Sequence, residues 1–211
     1  MVDYVNEVKR RLMDKAGNLS DENIVDAVKA ALVVHSRYYP KSQTKSYLGG
    51  SDTYDLPTDF EYQHAHRTVI VTSEVTCDVP QYTIDHHRGQ LRFNYAISCD
   101  FTLYYYVNWK LEDLDTLSGD AWHVIALMEL ATGMACAYLA NFYGEAEEPL
   151  LGADTVDRES KVELYRGLME KQFKLYASIM KGGGIDVKVA DIMNPQNLPA
   201  WGQIEWGEDV A

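Results

Sequence analysis

The chain has 211 residues, 46% of them hydrophobic, which is enough to bury a substantial core without metal or disulfide staples. Its 32 acidic residues against 19 basic ones give a formal charge of −13, so the surface as a whole repels nucleic acid rather than gripping it. The three cysteines, Cys77, Cys99 and Cys136, are widely separated without CxxC spacing and predict three reduced, buried thiols in a cytosolic setting.

The opening stretch MVDYVNEVKRRLMDK is charged and amphipathic and lacks the apolar core of a signal peptide, so secretion is not expected. Val5, Val8 and Leu12 share one face of a predicted helix over 4–15 that Gly17 ends. Ser20 offers an N-cap to a second helix, where Ile24, Val28, Ala31, Leu32 and His35 keep helical spacing until Pro40. Residues 41–53 read as a polar loop around Gly49 and Gly50.

From 54 to 109 the period changes. RTVIVTSEV, QYTID, GQLRFNY and DFTLYYYVNW are short, rich in β-branched and aromatic residues, and separated by turn-formers such as His87-Arg88-Gly89. This module holds 11 of the chain's 24 aromatic residues, enough to give it a small core of its own. On a strand His64 and His66 face one side, where with His86 or His87 they would make up three metal ligands, but no cysteine or carboxylate at matching spacing completes a site. No metal is therefore expected. Strand alternation splits Tyr104-Tyr105-Tyr106 between two faces.

Helix returns near Asp120. Residues 121–143, AWHVIALMELATGMACAYLANFY, are long enough to span a bilayer, but Glu129 falls near the middle and both flanks are acidic. The segment reads as the central helix of a soluble bundle, with no membrane expected, with Glu129 buried and hydrogen-bonded, and with small residues at Ala131, Gly133, Ala135, Ala137 and Ala140 that admit close neighbours. An acidic loop over 144–153 leads to a helix over 155–181, with Val162, Tyr165, Met169, Phe173, Tyr176 and Met180 on one stripe. Gly182-Gly183-Gly184 ends it. The remaining 27 residues, with two prolines, two tryptophans and an alternation at Ile185, Val187 and Val189, read as an extended tail too broken for a helix and too apolar to stay free. Ile185, Val187, Val189, Ile192, Trp201, Ile204 and Trp206 are its candidate partner-binding residues, with a neighbouring subunit favoured over its own domain.

No G-x-S-x-G elbow, Walker A loop, H-E-x-x-H motif or glycine fingerprint between strand and helix is present, so neither an enzyme nor a cofactor is expected. The fold class is α+β: a helical body (1–50 and 118–184), an inserted antiparallel β-rich module (51–117) and an extended C-terminal docking tail (185–211).

The order of elements, with Tyr54-Asp55-Leu56-Pro57 and Asp59-Phe60 at the entry to the insertion, Leu91-Arg92-Phe93 and Leu103-Tyr104-Tyr105-Tyr106 within it, and two long helices after it, resembles the head-to-tail connector (adaptor) proteins of tailed bacteriophages. The resemblance implies a structural virion protein of the neck, made in the host cytoplasm, forming a homo-oligomeric ring of about twelve copies with rotational closure. A portal protein would lie above the ring, a stopper or tail protein below, and DNA would pass through without specific binding. It also implies that the C-terminal tail reaches the portal, and it marks Tyr54, Leu56, Pro57 and Phe60 as the module's entry. The alternatives are a stopper or tail-completion protein and, from another class, a metal-dependent enzyme or carbohydrate-binding module built on the β insertion.

Overall fold

Ser20 sets the first long element in place: its Oγ accepts the Asn23 N–H at 3.2 Å, and helix α2 (Asp21–Tyr38) begins behind it with Asp21 and Glu22 in the positive first turn. In the computed structural model, which describes residues 4–12, 19–73, 77–114, 121–145 and 153–193, the other helices are α1 (Tyr4–Leu12), α3 (Ala121–Glu145), α4 (Ala153–Gly182) and the short α5 (Val189–Met193). Among the described residues six strands complete an α+β architecture. The chain divides into two compact units, Tyr39–Trp109 on one side and Met1–Tyr38 with Lys110–Ala211 on the other.

In the helical unit α3 is the centre, because α1, α2 and α4 all pack on it. It is long and apolar enough to cross a membrane, yet 72% of its most apolar window lies inside the structure. An apolar helix covered from several sides is a core helix. Gly133 permits the closest approach of α4: a Cβ there would stand 2.5 Å from the ring of the fully buried Phe173. Tyr165, Phe173, Tyr176 and Met180 form the buried stripe of α4, with Val162 and Met169 half-buried beside it. At its end Gly184 takes a φ of +84° while Gly184 N–H donates to Lys181 O at 3.0 Å and Ile185 N–H to Met180 O at 2.9 Å. This is a glycine-dependent helix stop that satisfies two terminal carbonyls.

The β unit contains β1 (Lys41–Tyr47), β2 (Thr53–Asp55), β3 (Val69–Thr72), β4 (Tyr82–Asp85), β5 (Gln90–Phe93) and β6 (Phe101–Val107). One antiparallel sheet has the order β1-β6-β3 and the other β2-β5-β4. Residues 41–47, expected to belong to a loop, instead pair with β6 along their whole length, from Lys41 opposite Val107 to Tyr47 opposite Phe101. This pairing lays the unit's entry beside its exit. Trp109 Nε1 donates to Tyr39 O at 2.7 Å, and the two rings stack at 6.4 Å. The core gathers Leu56, Phe60, Leu91, Phe93, Ile97, Phe101, Leu103, Tyr105 and Val107.

Two of the three cysteines depart from the expectation of free thiols. Cys77 and Cys99 form a disulfide across 22 residues of sequence, and only Cys136 is a buried free thiol, which burial pushes up to about 12. Closing a loop of that length removes about 3 kcal/mol of chain freedom from the unfolded state on the entropic account.

Candidate interaction surface

The entry residues are core residues of the β unit. Tyr54 sits on β2 opposite Leu91, with its ring edge-on to Phe101 at 4.9 Å and to Phe93 at 5.9 Å, and its hydroxyl accepts the Ser51 N–H at 3.0 Å. Leu56 donates its N–H to Gly89 O at 2.8 Å and is buried along with Pro57. Phe60 closes a turn onto Pro57 O and packs against Tyr105, whose hydroxyl donates to Asp59 Oδ1 at 2.9 Å. These four residues hold the unit together, and their burial leaves little of them to offer a partner.

His64 and His66 are not on a strand. Residues Tyr62–Arg67 form a 3-10 helix, in which side chains two apart diverge: His64 is buried with Nε2 3.3 Å from Asn108 Oδ1, and His66 is exposed. Burial holds the His64 imidazole below its usual range. The His86 ring lies tilted against that of Tyr62, with centroids 4.6 Å apart. Among the described residues no three His, Cys, Asp or Glu side chains gather where a metal ion could be held.

The tail is also corrected where it is described. Val189–Met193 is a helical turn rather than extended chain, and it packs on α4. Val187 and Ile192 are buried in their own unit, so of the described tail candidates only Ile185 and Val189 keep partial exposure. Trp201, Ile204 and Trp206 lie outside the described residues.

What the sequence did not single out is the outer face of the β1-β6-β3 sheet. The inward side chains of β6 are Phe101, Leu103, Tyr105 and Val107, so Thr102, Tyr104 and Tyr106 point outward. Register sets Ser42 beside Tyr106, Thr44 and Val69 beside Tyr104, and Ser46 and Val71 beside Thr102. None of these eight residues is charged, and Val69, Val71 and Tyr104 are 52%, 48% and 40% exposed. Leu48, just past β1, is 78% exposed. In a chain of charge −13 an uncharged, half-apolar sheet face is a surface on which another acidic molecule can settle without repulsion.

The charge is divided unequally between the two units. The β unit holds eight of the 32 acidic and five of the 19 basic residues, so most of the acid excess belongs to the helical segments and the tail. No family model, curated protein or solved structure matches the chain.

Proposed function

We propose that the chain is a structural head-to-tail connector of a tailed bacteriophage, a ring-forming adaptor that joins portal to tail. The observation that carries the reading is the partition of chemistry: acid excess in a helical body, and an uncharged exposed sheet face on an inserted β unit. A conduit for DNA benefits from negative potential, which keeps the passing polyanion from adhering. Copies of so acidic a chain can meet only where like charge is sparse, and the sheet face offers such a place. The entry and exit of the insertion lie side by side, so the β unit is added to the helical body without interrupting the body's own chain path.

The C-terminal segment is assigned to the portal. Because Val187 and Ile192 are buried in the helical unit, the separable docking portion starts after Met193 rather than after Gly184. Co-sedimentation with a portal ring tests this. The full chain should co-sediment; a chain ending at Met193 should fold normally and stay in the supernatant. Equal binding of both would remove the docking role from residues 194–211.

A further inference from the structure

Helix α4 buries one stripe of side chains against α3, and a second apolar stripe beside it is left open to solvent. Leu164 and Leu175 are 56% and 42% exposed, with Leu168 and Ile179 half-buried between and beyond them. Residues at such spacing share one face of a helix, so the four make a seam along α4. The seam has an unusual rim for so acidic a chain. Residues 160–182 hold five of the 19 basic residues and only two of the 32 acidic ones, and Arg166, Lys171, Lys174 and Lys181 are exposed. Lys171 falls within the seam itself, between Leu168 and Leu175.

The outer face of the β1-β6-β3 sheet matches this seam in size and chemistry. From 164 to 179 a helix rises about 22 Å, and the seven residues of β6 run about 20 Å. Three strands make a surface about 10 Å across, the width of one helix. The sheet face sets no cation against Lys171 and offers the exposed Tyr104 ring to its ammonium, while the lysine stem lies along apolar neighbours. Eight acidic against five basic residues in the β unit also suit a basic rim. Two α4 seams laid together would instead set cations against cations. Two sheet faces laid together would be an isologous contact, which closes at two copies.

We propose that the leucine seam of α4 in one copy seats on the outer β1-β6-β3 sheet face of the next copy. The proposal rests on the connector reading, because a ring is built from a contact between two different patches of the same chain. It adds what that reading leaves open, namely which surface of the neighbour covers the sheet. The helix lies on the sheet, the packing by which sheets and helices bury their apolar faces within single domains. A footprint of about 20 Å by 10 Å is small for a protein interface, so one contact alone is weak. In a closed ring each copy makes two such contacts, and closure holds what a single contact would release.

Mixing two blocked variants of the full chain tests this. Val71→Lys spoils the sheet face and leaves α4 intact. Leu164→Lys combined with Leu175→Lys spoils the seam and leaves the sheet intact, and lysine is about as good a helix former as leucine, so α4 is kept. Thr44→Lys is a second sheet variant, and circular dichroism checks that each is folded. Sedimentation velocity at about 100 μM, where weak contacts are populated, reads the mass. Each variant alone should be a monomer. The equimolar mixture of a sheet variant with the seam variant should form a dimer of about twice the 23.9 kDa chain mass and stop there, since one intact seam meets one intact sheet and nothing is left to extend it. A mixture of the two sheet variants should stay monomeric. A variant that assembles alone as the unaltered chain does, or a sheet-and-seam mixture that stays monomeric, overturns the contact. If the unaltered chain forms its ring while that mixture stays monomeric, the contact falls and the connector reading stands. If the mixture dimerises while the unaltered chain grows open filaments, the contact stands and the ring falls.

Discussion

Glu129 is a carboxylate set in the apolar centre of α3, and Arg11 of α1 reaches it with a guanidinium nitrogen while also donating to Glu7 at 2.9 Å. Breaking such a pair strands a charge away from water, so Arg11→Ala should lower the unfolding free energy by about 2–4 kcal/mol, with Glu129→Gln costing less. Chemical denaturation of both variants measures the difference. Gly133→Ala is opposed sterically, because its Cβ would stand 2.5 Å from the ring of the fully buried Phe173, and overpacking of this kind costs about 1–3 kcal/mol. The buried imidazole of His35 gives the helical unit an acid limit. Desolvation, then the nearby His123, lowers its pKa to about 3, and Tyr176 Oη lies 3.1 Å from its Nδ1. The unfolded chain takes up this proton near its ordinary value of 6.5 whereas the folded chain resists until about 3, so stability is complete above 6.5 and falls steadily as pH drops between the two. Glu7 adds its own loss only below about 4.5, since hydrogen bonds from Arg10 and Arg11 hold its carboxyl at about 2. Denaturant midpoints should therefore fall already between pH 6.5 and 5, and His35→Leu should flatten that part of the profile.

Among the elements, those whose apolar residues repeat with a clear period were legible in the sequence. The burial of Tyr165, Phe173, Tyr176 and Met180, and the inside-outside alternation of Phe101–Val107, follow from spacing alone. β1 was not legible because KSQTKSY has no apolar alternation. Its half-buried positions are filled by Lys41, Gln43, Lys45 and Tyr47, and the ammonium groups lie over aromatic rings, Lys41 over Trp109 at 5.8 Å and Lys45 over Tyr47 at 5.0 Å. Such stems pack like hydrocarbon while the letters read as a polar loop. The disulfide was hidden for another reason: a pair 22 residues apart has no spacing signature, and only the fold brings its sulfurs together. Of the candidate surface, the tyrosine alternation was readable, but β1 and β3 as its flanks required the register. That face yields an element-scale prediction. Val71→Lys and Thr44→Lys replace exposed side chains, so each should change stability by no more than about 1 kcal/mol. Each should also abolish self-assembly, read by sedimentation velocity.

For the whole molecule, the decisive property is that most of its acid excess and its uncharged exposed sheet face belong to different units. On the proposed connector reading, copies of the chain would meet through the β unit, where the acid excess is small. The direct measurement is mass photometry of the full chain at rising concentration, with bound zinc and nickel assayed on the same sample. The connector reading predicts a closed particle of about twelve times the 23.9 kDa chain mass, free of stoichiometric metal and dissolved by Val71→Lys. A compact monomer at every concentration, carrying one metal ion per chain, would contradict it.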